Sequence, residues 1–335
     1  MELSLYLYPV AADATGLREL WTRFDSQATA ADEAGWRGVW TPEHHQAKAF
    51  FPPPFQLLSW LAARHPRMTT GTAVALAPLY HPVQLAEAIA TTASVSAGTV
   101  VGFGTGFRRR EFAAVGADPA EKLAMTRECI RQTRALLAGE SVTFSIGPWQ
   151  ARETVLPFVI DPAPRFLAAA RTRPELDALA EVADGVVPNP MAGLDRQVAL
   201  LREMDDRLGR PAVVRPVLAD VVWGPTAQEA TRRAIRRLGA EFGSFKHQQS
   251  SVSDIARFAA APETEVDVIH RYCIVGDDER IRERLEWLAA EGVTELVARV
   301  EQAATGSDEA LETIRALGRI WPGRPSVEME RLTHA

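Results

Sequence analysis

The 335-residue chain predicts a (β/α)8 TIM barrel with insertions, and three observations carry that expectation. Eight short apolar runs alternate with helical patterns from one end of the chain to the other. Most of those runs are apolar at every position rather than at alternate ones, the mark of parallel strands covered on both faces. The 47% hydrophobic content is enough to bury a large core, and eight such units favour closure into a barrel over an open sheet.

The elements follow in order. Residues 3–8 form an apolar run ending at Pro9, and 17–34 a helix closed by Gly35. Gly38-Val39-Trp40-Thr41 is a second strand, stopped by Pro42. Beyond the Pro-rich loop 51–54, residues 56–64 read as a helix. Residues 68–76 form the third strand, and 82–95 a helix with Pro82 in its first turn. The fourth strand spans 100–103 and a long helix 119–137. The second half repeats the rhythm: strands at 165–170, 184–187, 213–223 and 295–300, helices at 174–183, 194–208, 226–238, 280–290 and 308–320. Two stretches break the repeat, a short β excursion at 139–157 and an insertion of mixed character at 239–271. Loops of that length on a barrel serve as lids or substrate walls. Residues 1–322 therefore read as one TIM-barrel domain, and 323–335 as a C-terminal tail.

Composition excludes several function classes. The net charge of −6 argues against nucleic-acid binding. The longest basic run, Arg108-Arg109-Arg110, meets Glu111 at once, and Arg232-Arg233 with Arg236-Arg237 reads as a solvated helix face. The two cysteines, Cys129 and Cys273, lie far apart and form no redox or metal pair. No basic leader precedes an apolar stretch, and no apolar run reaches membrane-spanning length. The expectation is a soluble cytoplasmic protein with no nucleic-acid or membrane partner.

In a barrel, chemistry collects where strands end. Glu43-His44-His45 follows the second strand directly, and adjacent titratable groups there are acid/base candidates because histidine titrates near neutrality. A polar turn with one histidine bonded to backbone accounts for the same residues equally well. The triplet lacks the helical spacing of a zinc motif, and no other His/Cys cluster completes a metal site. Gly102-Phe103-Gly104-Thr105-Gly106 follows the fourth strand but has the wrong spacing for a dinucleotide fingerprint; it reads as a tight turn beneath a flat ligand. Arg171-Thr172-Arg173 precedes the helix at Pro174. Arginines there oppose the helix dipole unless an anion is present, which favours a phosphate site over simple capping by Thr172.

Taken together, Gly38 to His45, Gly71-Thr72-Ala73-Val74, His81 to Glu87, Gly104-Thr105-Gly106 with Glu111-Phe112 and Gly116, Ala180 to Gly185 and Ile274-Val275-Gly276-Asp277 resemble the bacterial luciferase-like flavin monooxygenases. The resemblance spans the barrel but not the 239–271 insertion. It implies a protein that binds reduced FMN supplied by a separate flavin reductase, a transient partner. O2 is the co-substrate, reacting at flavin C4a to give a peroxide that oxygenates a small-molecule substrate. It gives His44 the acid/base role, with Glu43 and His45 orienting it or packing behind it. It places a non-proline cis peptide at Ala73-Val74 and the flavin against Thr72, Ala73, Val74, Gly104 and Thr105. The phosphate would be held by Ala170, Arg171, Thr172 and Arg173, with Arg127 reaching it from the helix at 119–137. It also implies a homodimer, for which Ala62, Ala63, Ala86, Ala88 and Ala90 permit close helix packing.

Some residues depart from the family pattern. An aspartate and an arginine expected after the third helix are replaced by Ala93 and Thr99, consistent with loss of a structural ion pair as a unit. Thr105 stands where the luciferase has a phosphate arginine, and the luciferase's cysteine near C4a is absent, so light emission is not expected. Two other functions fit the same barrel. One is an F420-dependent oxidoreductase, although such proteins often carry Asp before the histidine; the other is a flavin binder without turnover. The loop aromatics Phe50, Phe51, Phe55, Trp149, Phe242 and Phe245 point to an apolar or planar substrate.

Overall fold

Strand residues here alternate between two apolar environments, and that alternation builds the barrel. The computed structural model describes residues 1–9, 11–45, 50–170, 172–190, 192–245, 269–270, 272–300 and 307–322. The 323–335 tail, Arg171 and most of the 239–271 insertion lie outside the described residues. The wall contains β1 (Glu2–Tyr6), β2 (Gly38–Thr41), β3 (Thr69–Leu76), β4 (Thr99–Gly104), β7 (Arg165–Ala168), β8 (Gly185–Val186), β9 (Pro216–Trp223), β10 (Cys273–Gly276) and β11 (Glu295–Arg299). All are parallel, in the order β10-β9-β11-β1-β2-β3-β4-β7-β8. β5 (Val142–Ile146) and β6 (Trp149–Thr154) form a separate antiparallel hairpin within the 139–157 stretch.

Leu3, Leu5, Val101, Phe103, Phe166, Val217 and Leu296 face outward into one large core. There they meet helices α1 (Ala14–Glu33), α2 (Pro54–Arg64), α3 (Pro82–Ala93), α4 (Arg109–Val115), α5 (Lys122–Leu137), α6 (Arg173–Ala180), α7 (Leu194–Leu208), α9 (Asp278–Ala290) and α10 (Ser307–Ile320). Between β9 and β10 runs α8 (Ala227–Phe245), which packs with Val222, Cys273 and Val275 in a smaller core of its own.

The inward residues Tyr6, Trp40, Leu167, Val187, Leu218 and Val297 form a single interior cluster. Leu167 and Leu218 belong to strands near opposite ends of the ladder, so their meeting requires the sheet to curl round on itself. Packing at the centre is tight. A Cβ on Gly71 would lie 2.2 Å from Trp40 Cδ2, so only glycine admits the indole. The Trp40 indole N–H donates to the buried Glu295 (2.8 Å), as does the Ser4 hydroxyl (2.6 Å). Burial pushes the Glu295 carboxyl up, and those two hydrogen bonds oppose the shift.

The eight expected barrel strands are present, and β10, marked in the sequence by the 274–277 motif but not counted as a strand, is an addition. β10 takes the edge of β9 at Asp220–Trp223, while β8 is only two residues long. At this seam a side chain does the work of a strand. The buried Gln197 on α7 donates its amide N–H to Leu218 O (2.9 Å) and accepts from Leu218 N (3.0 Å). Gly185 permits close approach there, since a Cβ would meet Ala212 at 3.1 Å. Elsewhere, Gly35 ends α1 at φ 76, as its sequence position implied. The expected helix at 119–137 begins as a 3-10 turn at Pro119–Glu121, and α5 proper follows. Of the alanines offered for dimer packing, Ala62, Ala86 and Ala90 are already buried in this chain's own core, so they cannot also form a contact between subunits.

Replacing Gln197 with methionine keeps the length of the side chain and removes both bonds to Leu218. The Leu218 N–H and C=O are then left buried and unpaired, at a cost of about 2–4 kcal/mol. Urea unfolding of Gln197→Met should read that loss; an unchanged midpoint would show that the seam does not need its polar bridge.

Candidate active site

The C-terminal ends of β1 to β4 and of β9 and β11 bring the candidate residues together. Glu43 is buried just beyond β2. Its carboxylate accepts from His45 Nε2 (2.7 Å), from the backbone N–H of Leu76 (2.6 Å) and from the Tyr80 hydroxyl in a short bond. Glu43 thus ties the end of β2 to the end of β3. It grips His45 and not His44, so of the two expected roles, orienting His44 or packing behind it, its contact is with the neighbouring histidine. Burial and the Glu43 charge push Tyr80 well above the ordinary phenol range.

The His45 backbone is fixed a second time. Its N–H donates to the buried Glu111 (2.9 Å), and its carbonyl accepts from Arg108 Nη1 (3.4 Å). The hydrogen bond to Glu43 raises the His45 imidazole above its usual range. With His45 turned to Glu43, His44 faces the other way. Its ring meets Phe51 edge-on at 5.0 Å and Tyr8 at 6.1 Å, and Tyr8 meets Phe51 at 5.4 Å. Burial in this aromatic corner lowers the His44 imidazole to about 4, with Arg108 and His45 adding to the shift. His44 is therefore neutral near pH 7. It can take up a proton without resting as a cation.

Small residues make the surface beside it. The peptide Ala73-Val74 is cis, where the resemblance placed it, and the β3–β4 register shifts there. Thr72 Oγ1 donates to Gly102 O (2.9 Å). A Cβ on Gly102 would lie 2.3 Å from Thr72 O, and one on Gly104 2.4 Å from Val74 Cγ2. Glycine at both places lets Val187 and Val74 pack against the β4 backbone, so β3 and β4 end in a shelf of small residues, Ala73, Val74, Gly104 and Thr105. The Tyr6 hydroxyl donates to Ala73 O from below (3.1 Å).

Of the residues expected to hold phosphate, Thr172 and Arg127 each meet a different carboxylate. Thr172 caps α6 in a reciprocal box with Glu175, so its hydroxyl and N–H are engaged locally. This is the capping arrangement that ranked second to an anion site in the sequence. Arg173 is exposed at the first turn of α6, Ala170 is buried, and Arg171 lies outside the described residues. Arg127 pairs with Glu181 (3.0 Å), while its Nε is buried and without a hydrogen-bond partner among the described residues. Where the family aspartate and arginine are missing, hydroxyls take over: Thr99 Oγ1 lies 2.9 Å from Ser96 Oγ and 3.1 Å from Thr70 Oγ1.

Of the loop aromatics, Phe51 joins the site and Phe50 is half exposed nearby in sequence. Phe55 is core, and Trp149 packs on His81. The side chains of Phe242 and Phe245 lie outside the described residues. Sequence reasoning missed Tyr8, Tyr80, Glu111, Asp220 and Arg299. The signal for the last two was present, a charge two residues beyond an inward apolar side chain at a strand end. Among the described residues, no helix is long and apolar enough to cross a membrane, and no group of His, Cys, Asp and Glu could hold a metal ion.

Comparison with known proteins agrees with this fold. An uncharacterised protein of Mycobacterium tuberculosis is 30% identical over 213 residues, covering 61% of this chain and 73% of the relative. An F420-dependent glucose-6-phosphate dehydrogenase of Kineococcus radiotolerans is 28% identical over 255 residues, covering 72% and 74%. Two solved structures share the fold: monooxygenase RslO1 from Streptomyces bottropensis (TM-score 0.78, 22% identity, 96% and 98% of the two chains) and the oxygenating constituent of 3,6-diketocamphane monooxygenase from Pseudomonas putida, in complex with FMN (TM-score 0.76, 17% identity, 95% and 97%). The luciferase-like monooxygenase family description matches residues 1–295, nearly the whole barrel, and the chain belongs to that family.

Proposed function

We propose that this protein is the oxygenating component of a two-component monooxygenase, a cytoplasmic enzyme that takes reduced FMN from a separate flavin reductase and uses O2 to oxygenate a small organic substrate. The observation that carries the reading is His44, neutral and desolvated between Tyr8 and Phe51 beside the small-residue shelf of β3 and β4. The shelf suits a flat ring, because no side chain larger than valine stands among Ala73, Val74, Gly104 and Thr105. Ala73, Val74, Gly104 and Thr105 would hold that ring, and the unpartnered Arg127 Nε, with Arg173 and the 170–172 loop, would serve the charged end. When bound, reduced FMN supplies the two electrons that let one oxygen atom enter the substrate while the other leaves as water. The chain's own part is to exclude water with Tyr8 and Phe51, since water entry diverts the oxygen to hydrogen peroxide. His44 holds or moves the proton the oxygen transfer requires. Glu43 and His45 keep His44 turned inward.

A second reading, hydride transfer with F420, is favoured by the Kineococcus relative, whose name states that cofactor. Direct titration with FMN and with F420 separates the two. Under the monooxygenase reading, reduced FMN mixed anaerobically with the protein and then exposed to oxygen reoxidises more slowly than free reduced FMN, with less hydrogen peroxide released. His44→Asn should cut substrate oxygenation by about a hundredfold or more while retaining FMN. Reoxidation at the free-flavin rate, together with tighter binding of F420, would replace the first reading by the second.

His44 also predicts a pH dependence. Its imidazole titrates near 4 in the folded chain and at 6.5 ordinarily, so between those values the unfolded chain binds more protons. The stability linked to His44 is therefore complete above pH 6.5 and is lost as pH falls toward 4. Urea unfolding at pH 5 and pH 7 should show a smaller drop for His44→Phe than for the wild type. The raised His45 acts in the opposite direction, its contribution being lost as pH climbs through its folded value. Equal pH slopes in His44→Phe and the wild type would remove the basis for a neutral His44.

A further inference from the structure

A charged pair stands at the mouth of the barrel, beyond the apolar cluster at its centre. Leu218 and Val297 point inward in the central cluster, so Asp220 and Arg299, two residues further along β9 and β11, face the same way. The two are opposite each other in the strand register. Arg299 grips Asp220 with both ends of its fork, Nε to Oδ1 at 2.8 Å and Nη2 to Oδ2 at 2.6 Å. The guanidinium carbon lies 5.8 Å from the centre of the Tyr8 ring. That is the same ring that meets His44 and Phe51.

We propose that Arg299, presented by Asp220, is the specificity-determining residue of this site, and that it recognises an anionic oxygen, phenolate or carboxylate, on a planar aromatic substrate. Three features carry this. Placing ions inside the barrel costs desolvation that well-packed apolar residues would avoid, so the pair is not explained by stability. The bidentate grip fixes the plane of the guanidinium, which orients a ligand oxygen better than a freely rotating cation. The aromatic wall of Tyr8 and Phe51 begins beside that cation, so an aromatic body and its anionic oxygen are met by adjacent groups. A neutral aliphatic substrate would use neither. The inference rests on the barrel mouth being the substrate site under the proposed function. Asp220 acts through Arg299 as a positioning residue.

The test uses 2-naphthoate and its uncharged counterpart 2-methylnaphthalene as probes, titrated by calorimetry into the protein with and without FMN. 2-Naphthoate should bind the wild type more tightly than 2-methylnaphthalene. The double variant Asp220→Asn/Arg299→Met removes the pair as a unit and strands no buried charge. It should lose about tenfold to a hundredfold in 2-naphthoate affinity and none for 2-methylnaphthalene. Arg299→Lys keeps a cation without the fork and should show a smaller loss, again confined to 2-naphthoate, which keeps the test open if the double variant does not fold. Equal affinity of the wild type for the two probes, or equal loss of both in either variant, would overturn the proposal. FMN titration of the same samples by flavin fluorescence keeps the two readings apart. Absence of FMN binding would count against the monooxygenase, whereas the comparison of probes in flavin-free protein judges Arg299 alone.

Discussion

The site depends on one buried carboxylate. Glu43 accepts hydrogen bonds from the Leu76 backbone, the His45 ring and the Tyr80 hydroxyl, three donors from the ends of β2 and β3 and the turn beyond. A buried carboxylate with fewer partners would be costly, so this geometry is over-determined. Its consequences spread outward. Leu76 is held just past the shifted register of β3, which sets the shelf at Ala73 and Val74 against Gly102 and Gly104. His45 is taken by Glu43, so its neighbour His44 is delivered to the opposite side, against Tyr8 and Phe51.

That division of labour separates two chemically identical side chains. His45, bonded to a carboxylate, is drawn toward the protonated form; His44, in an aromatic corner beside Arg108, is drawn away from it. The protonation of each tracks what it touches. Near neutrality one histidine therefore belongs to the scaffold and the other remains a neutral base facing the barrel mouth.

Much of this was legible in the sequence, for reasons that differ by residue. Apolar runs such as 38–40 and 296–298 point to the parallel wall, because burial on both faces favours that composition. Gly102 and Gly104 were read as a tight turn after the fourth strand, whereas both lie within β4, where a side chain would collide, as one would at Gly71 in β3. β10 was legible only in part: Ile274-Val275-Gly276 belongs to the family motif, but the run was not counted as a strand because it follows the unpatterned insertion, and the upper edge of β9 gives it a place. Gln197 was hidden for another reason. It sits in an ordinary amphipathic helix, and nothing in a local pattern says that Leu218, across the seam, lacks a strand partner. Thr172 was read toward a ligand because arginines flank it, yet Glu175, three residues on, completes a capping box.

β9 connects these threads. Its first half pairs with β11 and belongs to the barrel; its second half pairs with β10 and shares the smaller core with α8, from which the insertion departs. Asp220 is the residue common to both ladders, opposite Arg299 on one edge and Cys273 on the other. The arginine directly across the register meets the charge at that position with both ends of its fork. The strand junction and the polar spot in the barrel mouth are thus one feature: the same cross-strand contact that carries β9 from barrel to satellite also fixes the guanidinium beside Tyr8.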